Sequence, residues 1–313
     1  MKINSKTTAF VFPGQGSQTI GMGRELSEKY PIAKLTFEEA DSILGSSLSK
    51  IMWEGPEADL NDTVNTQPAL FVHSLAAFRV FSSLNPDFKP GAVAGHSLGE
   101  LSALTAAEAL AFESGLRLVR KRGELMKKAG ENNPGSMAAV LNLDIASLEK
   151  VCSEASSESE PVQVANDNCP GQVVISGAKA AVERAMAGAK AAGAKRAIPL
   201  AVSIAAHSKL MFAIQDEWNE AVNNANISDP KLKIIGNVNA NVMRSANELC
   251  ADIKSQMQSR VRWTETIQLL TNQEITTFVE IGTGKVLGGL IRRIIPAALV
   301  LPLGDPADFT ELE

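Results

Sequence analysis

Aromatic residues are scarce in this sequence, at 5% of 313 positions, and histidine and cysteine occur only three times each. So few aromatics leave the core to small and aliphatic side chains, which suits closely packed helices laid on a parallel sheet. Cys152, Cys169 and Cys250 are odd in number and far apart, so they make neither a zinc pattern nor a disulfide framework. A reduced, cytoplasmic protein is the expectation. No stretch approaches the roughly 18 uncharged apolar residues that cross a bilayer. The longest apolar run near the N-terminus, Ala9 to Pro13, is too short for a signal-peptide core. A formal net charge of −5 and a pI of about 5.5 speak against a general nucleic-acid or membrane-surface partner. What remains, 45% hydrophobic and 21% charged residues, is the composition of a globular fold with a substantial core.

The order of segments predicts an α/β protein built in two parts. Thr8 to Phe12 reads as a short buried strand running into the turn Pro13-Gly14-Gln15-Gly16. Pro68 to Leu84 has the spacing of a buried helix, and Gly91 to Gly95 reads as a strand. A long Ala/Leu-rich helix is expected after Glu100, and another over Leu116 to Ala129, ended by the breaker Asn132-Asn133-Pro134-Gly135. Between that breaker and Ser203 the order is β-α-β-β-α-β, with Asp144 as an N-cap and 166–171 as a loop. This is the split βαβ unit of a small ferredoxin-like domain. The expected division is therefore a large α/β-hydrolase-like domain with a parallel sheet, residues 1–133 and 204–313, and an inserted ferredoxin-like domain, residues 134–203. In the large domain, His207 to Ala225 reads as one helix, Lys233 to Asn237 and Thr277 to Ile281 as strands, and the segment after Gly284 as the last helix.

The chemistry begins at Gly95-His96-Ser97-Leu98-Gly99, which fits the G-x-S-x-G nucleophile elbow with a strand before it and a helix after it. A serine on so sharp a turn is pushed out of the sheet, and glycine two residues to either side removes the Cβ atoms that would clash. A serine hydroxyl needs a base within hydrogen-bond reach, and three histidines narrow the choice. His73 lies on the apolar face of a buried helix and reads as a core residue. His96 adjoins the nucleophile, where neighbouring side chains diverge, and reads as support for the turn. His207 stands where the inserted domain returns to the main one, and a domain boundary is where a cleft belongs. The expectation is an acyl ester on Ser97 with His207 as its base. The third, orienting group stays open at this point, since a backbone carbonyl serves as well as a carboxylate.

Together, the segments from Phe12 to Gln18, Gly95 to Glu100, Asn168 to Gly177, Val202 to His207 and Glu280 to Leu287 resemble the malonyl-CoA:acyl carrier protein transacylase family. The resemblance runs from about residue 8 to about residue 295 in one order. It implies that Ser97 is the acylated nucleophile and His207 its general base, with backbone N–H groups of Gln15 and Leu98 on the oxyanion. It also implies that Arg122 grips the free carboxylate of malonate and that the backbone carbonyl of Gln256 orients the histidine. On the sequence alone Arg122 is one charge in a helix rich in Arg and Lys. A planar guanidinium can bind a carboxylate through two parallel charge-assisted bonds. At roughly 1.5–3 kcal/mol each, these could separate malonyl from acetyl by about 10²-fold or more. The sequence departs from the family at Ile204-Ala205-Ala206 before the histidine, where Val-Pro-Ser is more usual, and at Arg260, where proline is more usual.

The implied partners are malonyl-CoA and an acyl carrier protein, and neither a cofactor nor a metal is implied. Arg117, Arg120, Lys121, Lys127 and Lys128 form one basic stretch, and Lys190, Lys195 and Arg196 another on the small domain; the second is expected to flank the cleft and meet phosphate or the acidic carrier, a solvated charged face being the other reading. Three other readings share the elbow: a serine esterase or thioesterase, a free-standing acyltransferase of a polyketide pathway, and a carrier-binding scaffold without activity.

Overall fold

The computed structural model describes residues 3–312. Its ten strands are β1 (Thr8–Phe12), β2 (Ala92–Gly95), β3 (Gly135–Leu141), β4 (Val162–Cys169), β5 (Gln172–Ala178), β6 (Arg196–Pro199), β7 (Ile234–Ile235), β8 (Val242–Met243), β9 (Thr277–Ile281) and β10 (Leu299–Leu303). Six of them form a sheet in the order β10-β9-β1-β2-β7-β8, parallel except at the β7–β8 edge. Parallel neighbours need long crossovers, and helices on both faces supply them. That is why β1 is buried throughout: Phe10 and Phe12 pack into one core, Ala9 and Val11 into another on the opposite face. The protein is a mixed α/β fold with a parallel-rich sheet.

The remaining four strands form an antiparallel sheet in the order β4-β5-β3-β6. Helices Ile145–Ala155 and Lys179–Ala191 cover one of its faces and enclose a separate core with Ala138, Val140, Val173 and Ile175. The Asp144 side chain caps the first of these helices by accepting the N–H of Ser147.

Several expectations are corrected. The segment 166–169 is strand, not loop: β4 runs on through two irregularities to Cys169, and its buried Asn166 and Asn168 face the large sheet's side of the molecule, where Asn166 bridges Val261. The helix read from Pro68 begins at Thr63, capped by Asp62, and accommodates Pro68 inside it. The helix after the elbow is short, Gly99–Ala106, and the next is longer than expected, Phe112–Asn132. His207 does not start a helix. It has a left-handed φ of 58°, followed by a 3-10 turn over Lys209–Ile214 and a helix over Gln215–Asn224. The segment after Gly284 is not the end of the fold, because β10 and a helix at Pro306–Leu312 follow it.

Strand order departs from β1 in both directions, so the carboxyl edge at β1 and β2 is a place where loops can diverge and leave a crevice. The loop carrying Gln15 leaves β1 there, the elbow leaves β2, and Asn237 follows β7.

Candidate active site

Ser97 stands two residues past β2 with a left-handed φ of 53°. The turn is possible because of the glycines around it. A Cβ on Gly95 would lie on the carbonyl of Gly99, and one on Gly99 would lie on the carbonyl of Phe12. Asn237 holds the elbow from the neighbouring strand's end. Its Oδ1 accepts the Ser97 N–H at 2.7 Å and its Nδ2 donates to the Gly95 carbonyl at 2.7 Å, continuing the sheet ladder with a side chain. His96 turns away from Ser97, with Nε2 2.8 Å from Asn168 Oδ1 and its ring edge-on to Trp263. His73 is buried, its Nε2 on the Gly304 carbonyl at 3.1 Å. Both therefore occupy the structural places expected of them.

The Oγ of Ser97 is 2.8 Å from Nε2 of His207. On the other side of the ring, Nδ1 faces two carbonyl oxygens, of Gln256 at 2.9 Å and of Ser259 at 3.1 Å. Carbonyl oxygens only accept, so Nδ1 carries the hydrogen and Nε2 is left as the acceptor of the serine proton. The third group is thus a backbone carbonyl, not a carboxylate. The His207 main chain is held in turn, its carbonyl accepting from Gln163 Nε2 of β4 at 3.0 Å. Burial, and then the charge of Arg122, hold the imidazole down to a pKa of about 3, so it is neutral at physiological pH. The departure at Arg260 leaves this arrangement intact, because its guanidinium points away to Glu149 at 2.7 Å and Glu265 at 3.4 Å.

Arg122 is 2% exposed, on the buried face of the helix Phe112–Asn132. Its Nη2 donates to Ser97 Oγ at 3.1 Å and to Gln256 Oε1 at 2.8 Å, and its Nη1 to Gln67 Oε1 at 2.9 Å. Its Nε is buried without a partner. Among the described residues no carboxylate lies within ion-pair distance of it, which is costly for a buried charge. Burial lowers its pKa to about 10, and the guanidinium stays charged at neutral pH. A cation so placed beside a serine hydroxyl is suited to a ligand that brings its own carboxylate.

The remaining expected residues lie in the loop after β1, at the start of the elbow helix and at the end of the helix Ala246–Gln256. Gln15 lies in the loop after β1, its Oε1 accepting from Thr63 Oγ1 at 3.2 Å, and that loop packs on the elbow at the carbonyl of His96. Leu98 is buried at the start of the elbow helix. Among the described residues the N–H groups of Gln15 and Leu98 find no protein acceptor. Gln256 contributes its side chain as well as its carbonyl: Nε2 donates to the Ser97 carbonyl at 2.9 Å and to Glu100. Gln67, Asn237, Gln163 and Asn168 were not visible as site residues in the sequence, being single polar residues outside any catalytic motif. Glu100 was visible only as the residue that closes the elbow segment. No cluster of metal-ligating side chains occurs among the described residues, and no described helix is long and apolar enough to cross a membrane.

Comparison with known proteins agrees with this geometry. The acyl transferase domain family matches residues 9–293. A Bacillus subtilis protein named malonyl CoA-acyl carrier protein transacylase is 45% identical over 95% of this chain and 93% of its own. The crystal structure of an acyl carrier protein S-malonyltransferase from Vibrio cholerae superposes with a TM-score of 0.95 at 40% identity, covering 98% of this chain and 100% of that one. A malonyl-transacylase solved in complex with its type II PKS acyl-carrier protein superposes with a TM-score of 0.94 at 40% identity, covering 97% and 98%. With an elbow serine, a carbonyl-held histidine and a family match spanning nearly every described element, the chain belongs to the acyl transferase domain family.

Proposed function

We propose that this protein transfers the malonyl group of malonyl-CoA to the pantetheine thiol of an acyl carrier protein, in the cytoplasm, through an ester on Ser97. The observation that carries the reading is Arg122, a buried guanidinium with no carboxylate of its own, 3.1 Å from the nucleophile's oxygen. An acyl group with a free carboxylate one methylene from the thioester carbonyl would bring the missing anion to it.

In the first half-reaction His207 Nε2 takes the Ser97 proton as Oγ attacks the thioester carbonyl. The tetrahedral oxyanion rests on the N–H groups of Gln15 and Leu98, where one such donor is typically worth about 10²–10³ in rate. The C–S bond breaks, and the thiolate of coenzyme A leaves with the proton returned by His207. The carrier's thiol then gives its proton to His207 and attacks the ester, and Ser97 recovers its proton as it departs. The Nδ1–H bonds to Gln256 and Ser259 hold the imidazolium that forms in each half. No cofactor enters the balance.

The two-part architecture is read in the same terms. Residues 134–203 are proposed as a ferredoxin-like insertion in an α/β-hydrolase-like domain made of 1–133 and 204–313, a reading supported by the β4-β5-β3-β6 order and by the separate core of that sheet. A serine esterase would have no use for Arg122. A polyketide carrier protein is a second reading for the acceptor, favoured by the relative solved with a type II PKS carrier. The test is transfer itself: malonyl-CoA, this protein and a holo-carrier protein should give malonyl-carrier and one coenzyme A per transfer, with parallel lines in double-reciprocal plots. Steady release of coenzyme A and free malonate without carrier acylation would make it a hydrolase.

A further inference from the structure

Glu100 lies three residues after the nucleophile, in the first turn of the elbow helix, with no exposed surface. One carboxyl oxygen accepts the backbone N–H of Asn237 at 3.2 Å, and Asn237 is the residue that clamps the elbow. The other accepts the side-chain amide of Gln256. Asp252, whose Oδ1 takes the N–H of Val238 at 3.3 Å, lies close by, and burial and then the charge of Asp252 push the Glu100 carboxyl well above the usual carboxylate range. Gln256 is the hub of the site. Its Nε2 also donates to the Ser97 carbonyl at 2.9 Å, its Oε1 accepts from Arg122 Nη2 at 2.8 Å, and its own carbonyl faces His207 Nδ1 at 2.9 Å.

An amide side chain can stand in two orientations, and here the choice has consequences. Oε1 toward Arg122 gives the guanidinium an acceptor; Nε2 toward Arg122 sets donor against donor. The carboxyl oxygen of Glu100 and the Ser97 carbonyl both accept from Gln256, and together they fix Nε2 on their side and leave Oε1 for Arg122. We infer that Glu100 is a positioning residue for acyl specificity: it fixes the Gln256 amide, which aims the Arg122 guanidinium at the carboxylate of the acyl group. The Glu100 carboxyl has no hydrogen bond to Ser97, His207 or Arg122; it reaches the guanidinium through the Gln256 amide and through its own field. The inference rests on the reading of Arg122 as the carboxylate clamp.

The test is the ratio of kcat/KM for malonyl-CoA to that for acetyl-CoA, measured in the parent, Arg122→Ala, Glu100→Gln, Gln256→Ala and the Glu100→Gln/Gln256→Ala pair, each with holo-carrier protein. An amide at position 100 offers one acceptor to two donors, and the mobile Gln256 side chain gives way before the backbone N–H of Asn237. The ratio should fall about tenfold or more in Glu100→Gln, the loss of one charge-assisted bond. It should fall much less when Glu100→Gln is added to Gln256→Ala, because the hydrogen-bonded route from the first runs through the second. A merely structural role would lower the folded fraction and reduce both substrates alike, leaving the ratio unmoved. Should Glu100→Gln not fold, Glu100→Asp, which withdraws the acceptor by one methylene, is read by the same ratio. A ratio unchanged in the position-100 variant, or effects of the two sites that multiply, would overturn the inference while Arg122→Ala still abolishes the preference. A parent without malonyl preference, or an Arg122→Ala variant that keeps it, would overturn the clamp reading and this inference with it.

Discussion

Nη2 of Arg122 lies 3.1 Å from Oγ of Ser97, so the residue read as the substrate's anchor touches the residue read as its nucleophile. In a malonyl ester the carboxylate is separated from the reacting carbonyl by a single methylene, which is the short span this contact allows. Replacing Arg122 by alanine should lower kcat/KM for malonyl-CoA by about 10²-fold or more, the worth of two charge-assisted hydrogen bonds. The rate with acetyl-CoA should change far less. Steady-state kinetics with the two thioesters checks this.

The pH profile follows from the surroundings of His207. The proposed mechanism needs the neutral imidazole, and burial with the charge of Arg122 holds its pKa down to about 3. Lowering the pKa of a base extends the neutral form toward acid, so labelling of Ser97 by a fluorophosphonate should persist as pH falls through 6.5, the ordinary histidine value. Arg122→Met removes one of the depressing causes, so its acid limb should lie at higher pH than the parent's. Inactivation rates across pH, on protein shown to stay folded, give both limbs.

The elbow tolerates no Cβ at its flanks. Alanine at Gly95 would press on the backbone of Gly99 and Glu100, atoms that cannot move without reopening the turn. Gly95→Ala should cost about 3 kcal/mol or more of stability and abolish labelling of Ser97. Alanine at Gly289, inside the helix Val286–Ile294, meets nothing within 4 Å, so it should leave labelling unchanged and raise stability by up to about 1 kcal/mol. Thermal melts and probe labelling of the two variants make the comparison.

Lys190, Lys195 and Arg196 are exposed on the antiparallel sheet's side, and among the described residues none is in an ion pair. An acidic carrier or the phosphates of coenzyme A are proposed to meet them. Replacing Lys195 and Arg196 together by alanine should raise the apparent KM for carrier protein, more so at low salt, where exposed charges act over a longer range. Unchanged kinetics would remove this surface from the docking path.

The parts of the site that were legible in the sequence are those whose chemistry is local. Ser97 is announced by two glycines that only an elbow requires, and His207 by the shortage of other histidines and its place at a domain return. Arg122 carried no signal of its own, since a helix with neighbouring Arg and Lys looks solvated. Only the family resemblance singled it out, and burial on one helix face is what distinguishes it. Asn237, Gln67 and Glu100 act through contacts across 55 to 156 positions of sequence, which no local pattern encodes. The Asn-rich end of β4 read as a loop because its polar residues suggested solvent; they are buried against His96 and Val261. The helix read from His207 failed because the residue's positive φ is set by the tertiary hold of Gln163, Gln256 and Ser259 on its backbone and ring. β10 was missed because a five-residue apolar run has no periodicity of its own to separate it from a tail.

The central claim is a malonyl ester on Ser97, and intact mass after a brief incubation with malonyl-CoA tests it most directly. A single malonyl adduct that maps to Ser97, is weak with acetyl-CoA and is absent from Ser97→Ala is the predicted result. An unmodified mass while coenzyme A accumulates in solution would contradict it.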